Sequence, residues 1–111
     1  MTENLAERLG LTPRHVRLVT DLLATHVPDR PVWAFGSRTF RKARRYSDLD
    51  LAIGGPAALP PGVRMDLADA LDASMLPVEV DLIDLNDVDS MFRSRIEPDF
   101  LLLQNPDQVG Q

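Results

Sequence analysis

Two short apolar runs, at residues 32–35 and 49–53, restrict what this chain can fold into. The first run leads directly into Gly36-Ser37, and ten residues later the second is entered through Asp48-Leu49-Asp50. Side chains at positions i and i+2 of an extended strand point to the same face, so both carboxylates face the same way. Neighbouring carboxylates repel each other unless a cation lies between them. The pattern therefore predicts two strands and a site for a nucleotide bound as its magnesium complex.

Helical spacing of apolar residues alternates with these runs along the rest of the chain. Thr12-Pro13 predicts a helix start, with Thr12 as the N-cap, and the helix ends at Pro28. A second helix is predicted over residues 63–75, and Asn86 or Asp87 can cap a third, which Pro98 interrupts. The remaining predictions are a strand over 78–85, a short helix over 37–41, a helical turn within 1–11, and a helix or strand over 100–103. This alternation predicts an α/β fold with helices layered on a small sheet.

Composition limits the class of protein. The 111 residues are enough for one small domain, 1–111, with one core, and the 44% apolar content is ordinary for a globular protein. Cysteine is absent, which rules out disulfides and thiolate zinc sites and favours a cytoplasmic setting. No apolar run is long enough to span a membrane, and the formal net charge of −5 disfavours direct nucleic-acid binding.

Charge is unevenly distributed along this acidic chain. Residues 38–45 contain five basic side chains, and most of the carboxylates follow them. A local basic segment in an acidic protein favours a specific anionic ligand. Each of these basic residues, taken alone, is at least as well explained by a solvated surface.

Asp81 is a third acidic candidate. It lies within the apolar run of residues 78–85, where an acid is costly unless it is paired or bound to a metal. If this strand lies beside the one that carries Asp50, Asp81 can approach both Asp48 and Asp50. Asp84 stands at the strand end, where we expect it to cap or turn the chain.

The five residues Gly36, Ser37, Asp48, Asp50 and Asp81, in this order, resemble the nucleotidyltransferase superfamily of DNA polymerase β type. They are most similar to its minimal members, the MNT antitoxins that are paired with HEPN ribonuclease toxins. The resemblance extends over roughly residues 12–104 and implies a mixed sheet of three or slightly more strands, flanked by helices.

For the metal site, the resemblance implies that Asp48 and Asp50 hold two magnesium ions. One ion would accompany ATP, the substrate, and the other would activate an acceptor hydroxyl. Asp81 would complete the acceptor-side site and receive the hydroxyl proton.

For the nucleotide, the resemblance implies that Gly36 and Ser37 bind the outer phosphates. Arg38 is the best further candidate for a phosphate contact, and Ser47 is another for the nucleotide. The segment 39–46 departs from the family, because it has four basic residues and no glycine.

The resemblance also implies the acceptor. A chain of this length has no room for an acceptor-binding domain, so the expected reaction transfers AMP to a tyrosine of a HEPN toxin and neutralises it. Two alternatives stay open: an antitoxin that only binds and occludes the toxin, and a nucleotidyltransferase that acts on a small molecule or an RNA end.

Overall fold

The computed structural model describes residues 5–36, 38 and 48–106. The elements are α1 (Leu5–Leu9), α2 (Pro13–His26), β1 (Val32–Phe35), β2 (Leu49–Ile53), α3 (Pro61–Asp72), β3 (Val80–Asp84), α4 (Ser90–Ile96), a 3₁₀ turn (Glu97–Asp99) and β4 (Leu101–Gln104). The run left open between helix and strand at 100–103 is therefore a strand. The helix predicted at 63–75 begins and ends earlier, and the helix predicted at 37–41 lies, apart from Arg38, outside the described residues.

Local sequence signals define α2. The Thr12 Oγ1 accepts a hydrogen bond of 3.1 Å from the backbone N–H of His15, and Pro13 opens the helix. At the other end, the N–H of Val27 donates to the carbonyl of Leu23. Both ends lie where the sequence predicts them, because capping depends on residues within one turn.

The described strands form one mixed sheet in the order β3-β2-β1-β4. Strand β1 pairs antiparallel with both β2 and β4, whereas β2 and β3 are parallel. A parallel pair needs a crossover connection, and α3 supplies it. The fold class predicted from the sequence is thus confirmed, and the four strands fall within the expected three or slightly more.

Apolar side chains fill both faces of the sheet. Helices α1, α2 and α3 bury Leu9, Leu23 and Leu67 against one face. On the other face α4 contributes Ile96, which packs with Phe35 and the other members of a smaller cluster. Trp33 is half-buried there and stacks on Phe100, with ring centroids 5.1 Å apart.

A polar network fastens the connection that leaves β2. Arg30, only 9% exposed, donates from Nη1 to the carbonyls of Gly54 and Ala57. Asn86 donates from Nδ2 to the carbonyl of Ala57 as well. Because these contacts lie where β2 and β3 end, they are at the opposite end of the strands from Asp50.

None of the helices in the described ranges is long and apolar enough to cross a membrane.

Candidate active site

Asp50 and Asp81 stand side by side on neighbouring strands. They are directly paired in the parallel register of β2 and β3, and their side chains are hydrogen-bonded to each other. Since both side chains alternate with core residues, they share the face of the sheet that carries Ala52 and Ile83. The sequence predicts this proximity only if the two strands are neighbours in the sheet, and the structure confirms that they are.

The electrostatics of this pair show mutual repulsion. Burial raises the pKa of the Asp50 carboxyl above its ordinary value, and the charges of Asp81 and Asp48 and the hydrogen bond that protonated Asp50 donates to Asp81 raise it further. Asp48 precedes β2 and is exposed. The charges of Asp48 and Asp81 thus both act against the ionised form of Asp50, in a way that a cation would relieve.

The donor chemistry of these three residues is suitable for magnesium, which binds carboxylate oxygens together with substrate phosphates. Within residues 5–36, 38 and 48–106, however, no three acidic or histidine side chains are arranged closely enough to hold a metal ion by themselves. The structure brings Asp50 and Asp81 together and places Asp48 within electrostatic reach of Asp50. The metal-ligand roles of the three residues stay predictions.

Gly36 brings the turn after β1 against the acid pair. Its φ angle of 84° lies in the left-handed region that favours glycine. A Cβ at this position would lie 2.5 Å from the Asp50 Oδ2, so only a glycine allows the backbone to approach this close. The predicted neighbourhood of the glycine turn and the carboxylates is therefore present, because Phe35 is paired with Asp50 in the sheet.

Two predicted nucleotide contacts, Ser37 and Ser47, lie outside the described residues, as do the basic residues of segment 41–45. Their expected roles stay predictions.

Arg38 occupies a place that the sequence did not suggest. Its side chain is 1% exposed, and its Nη1 donates to the carbonyls of Leu9, at 2.9 Å, and Gly10, at 3.4 Å. Burial lowers the pKa of the guanidinium from its ordinary value, while the Asp48 carboxylate acts in the opposite direction. The arginine expected to contact phosphate is thus bonded to the end of α1.

Asp84 is structural, as the sequence predicts. Its Oδ2 accepts from the N–H of Leu59 at 2.7 Å, and its Oδ1 accepts from the N–H of Asn86 at 2.9 Å. Burial by itself raises the pKa of Asp84, but these hydrogen bonds and the charge of Arg30 outweigh it, so the pKa lies below the ordinary value. The carboxylate caps the end of β3 and does not join the acid pair.

A polymerase β-like sheet with an acid pair against a glycine turn defines a nucleotidyltransferase. Residues 19–108 match the family "Polymerase beta, Nucleotidyltransferase", and the chain belongs to this family.

Comparison with individual proteins agrees with this assignment. The chain is 38% identical over 102 residues to a probable protein adenylyltransferase MntA of Haemophilus influenzae. This match covers 92% of this chain and 90% of that protein. A crystal structure of a toxin–antitoxin with AMP-PNP is similar over 81% of this chain and 73% of that one, with 27% identity and a TM-score of 0.68. A structure of a tri-AMPylated Shewanella oneidensis HEPN toxin in complex with MNT antitoxin also contains a similar chain. The similarity extends over 86% of this chain and 73% of that one, with 25% identity and a TM-score of 0.63.

Proposed function

We propose that this chain is a magnesium-dependent protein adenylyltransferase and the antitoxin of a HEPN ribonuclease toxin. In this proposal it transfers AMP from ATP to a tyrosine of the toxin in the cytoplasm, where ATP is available, and so neutralises the toxin. The observation that carries the proposal is the pairing of Asp50 with Asp81 beside the left-handed turn at Gly36.

The carboxylates give the proposed chemistry its electrostatic basis. Asp48, Asp50 and Asp81 would hold magnesium, which neutralises phosphate charge and favours ionisation of the acceptor hydroxyl. Because Gly36 carries no side chain, its backbone would be open to close approach by the outer phosphates. The tyrosine oxygen would then bond to the α-phosphorus while the bond from that phosphorus to the bridging oxygen breaks. Pyrophosphate leaves, and Asp81 takes the hydroxyl proton.

The relatives support the choice of nucleotide and acceptor. The H. influenzae relative is described as a protein adenylyltransferase, and one similar antitoxin complex contains AMP-PNP. In another, the HEPN toxin itself is tri-AMPylated. The simplest proposal for this chain is therefore that it, too, takes an adenine nucleotide as donor and a protein as acceptor.

Mass spectrometry of the cognate toxin tests this proposal. The purified toxin is incubated with this chain, ATP and magnesium, and we expect a mass gain equal to one or more AMP units. Chelation of the magnesium or the change Asp50→Asn should abolish the gain, whereas Asp66→Asn, at an exposed position of α3, should leave it unchanged.

Neutralisation is measured in parallel by the toxin's ribonuclease activity. If Asp48→Asn/Asp50→Asn neutralises the toxin fully with no mass gain, the chain acts by occlusion and the enzymatic proposal is wrong. Activity on an RNA end or a small molecule without any toxin would likewise reassign the acceptor.

A further inference from the structure

Arg38 is the largest fully buried side chain among the described residues. A buried guanidinium is costly unless its N–H groups find acceptors, and here Nη1 has the carbonyls of Leu9 and Gly10. Arg38 follows Gly36 by two positions, so the residue that reaches α1 is almost adjacent to the turn against the acid pair.

The end of α1 is built to receive a cation. Gly10 has a φ of 68°, its N–H donates to the carbonyl of Glu7, and the N–H of Leu11 donates to the carbonyl of Ala6. These two bonds close the helix in a Schellman arrangement and leave the Leu9 and Gly10 carbonyls pointing beyond it. A positive charge at a helix C-terminus also complements the helix dipole.

We propose that Arg38 is a positioning residue that fastens the turn beginning at Gly36 to the C-terminal end of α1, instead of a ligand of the nucleotide phosphates. On one side of this turn, Phe35 is held in β1 opposite Asp50. On the other side, Arg38 is held by two backbone carbonyls. Helix α1 thereby supports the turn without contributing a side chain to the site.

The burial of Arg38 separates this role from a phosphate contact. At 1% exposure Arg38 is enclosed by the protein, and its Nη1 is already bonded to the α1 carbonyls. A positioning role predicts that a change on the α1 side, far along the chain from the turn, weakens nucleotide binding in the same way as a change of Arg38 itself.

The test uses Arg38→Gln, Gly10→Ala, the double variant, and Arg93→Gln as a control. Gly10→Ala is strained because of its positive φ, but its Cβ would lie 3.5 Å from Arg38 Nη1, which is an ordinary contact. Arg93 is matched as an arginine with a defined partner, since it pairs with Glu97 on α4 at the surface. Circular dichroism establishes that each variant is folded.

Hydrogen exchange in the nucleotide-free protein reports on α1 directly. We expect Arg38→Gln to speed exchange of the Gly10 and Leu11 amides about tenfold while the amides of β2 keep their protection. Unchanged exchange at these two amides would overturn the proposal. This measurement needs no nucleotide, so it stands even if the proposed function fails.

Calorimetric titration with ATP and magnesium measures the effect on the site, and this part rests on the proposed function. We expect Arg38→Gln to weaken ATP binding about tenfold and Gly10→Ala about threefold, with no further loss in the double variant. Penalties that multiply, or a Gly10→Ala variant that binds ATP like the wild type, would make Arg38 a phosphate ligand. Absence of ATP binding by the wild type would contradict the proposed function.

Discussion

The space beside the Asp50 carboxylate is closed on one side by the backbone of Gly36. A Cβ added to this glycine would lie 2.5 Å from the Asp50 Oδ2, closer than real Cβ contacts come. The turn and the acid pair are therefore a single packed unit, and a side chain as small as a methyl group disturbs both.

Gly36→Ala should impair activity and stability together. The positive φ and the overlap with Asp50 should cost about 1–3 kcal/mol in the free energy of unfolding, and AMP transfer should fall below one per cent of the wild type, roughly. Gly62→Ala is the matched control, because a Cβ there meets nothing within 4 Å. Because Gly62 lies in helix α3, Gly62→Ala should raise the free energy of unfolding by up to about 1 kcal/mol. Urea unfolding and the toxin mass assay measure both, and equal behaviour of the two variants would contradict the prediction.

Asp81→Asn should stabilise the chain in the presence of a chelator. The change removes a charge that faces Asp50 and supplies an amide N–H to its carboxylate. Because Asp81 is exposed, the gain in the free energy of unfolding should be less than about 1 kcal/mol. Magnesium should raise the melting temperature of the wild type but not of the variant. A variant less stable than the wild type under chelation would show that the pair does not repel.

Asp84 should make stability depend on acid pH. Its pKa is lower in the folded chain than in the unfolded chain, so its contribution is fully present above the unfolded pKa of about 3.9 and is lost as the pH falls through the folded pKa. At neutral pH, Asp84→Asn should lower the free energy of unfolding by about 2 kcal/mol, since two backbone N–H groups lose a charged acceptor. The difference from the wild type should shrink below about pH 4.

Urea unfolding at several pH values measures this difference. Asp66→Asn on α3 serves as the control, and its difference from the wild type should stay within about 0.5 kcal/mol at neutral pH. A difference for Asp84→Asn that grows toward acid pH would contradict the assigned direction of the shift.

Gln104→Leu should destabilise the chain, because it removes the hydrogen bonds that join β4 to the backbone just after α2. Gln104 is buried, and its Nε2 donates to the carbonyls of Val27 at 2.8 Å and Arg30 at 2.9 Å. Leucine leaves both carbonyls without this donor, which should cost about 2 kcal/mol in chemical denaturation. Leu102→Gln, at a position 45% exposed on the same strand, should change stability by less than about 0.5 kcal/mol. Equal losses in the two variants would mean that Gln104 only fills space.

Features that depend on a few neighbouring residues were predictable from the sequence. The start of α2 follows from Thr12 and Pro13, and the capping role of Asp84 follows from its place at a strand end. The proximity of Asp50 and Asp81 was predictable once their strands were assumed to be neighbours. Side chains at directly paired positions of two neighbouring strands lie on the same face of the sheet.

Features that depend on distant backbone were not predictable. The run that forms β4 is too short for its periodicity to distinguish helix from strand, and its pairing with β1 decides the matter. Arg38 bonds to the carbonyl of Leu9, 29 residues earlier in the chain. Since every residue carries a carbonyl, no side-chain pattern marks this acceptor, although Gly10 does mark a helix end.

The parallel pairing of β2 and β3 also has a consequence for the order of folding. Asp50 and Asp81 are partners although they are 31 residues apart in the chain, and the whole of α3 lies between them. Contacts between such distant positions pay their loop-closure entropy before they gain stability, and they tend to form slowly. We therefore expect a newly made chain to form the β1–β2 contact, whose partners are closer in the chain, before the acid pair that the proposed catalysis needs.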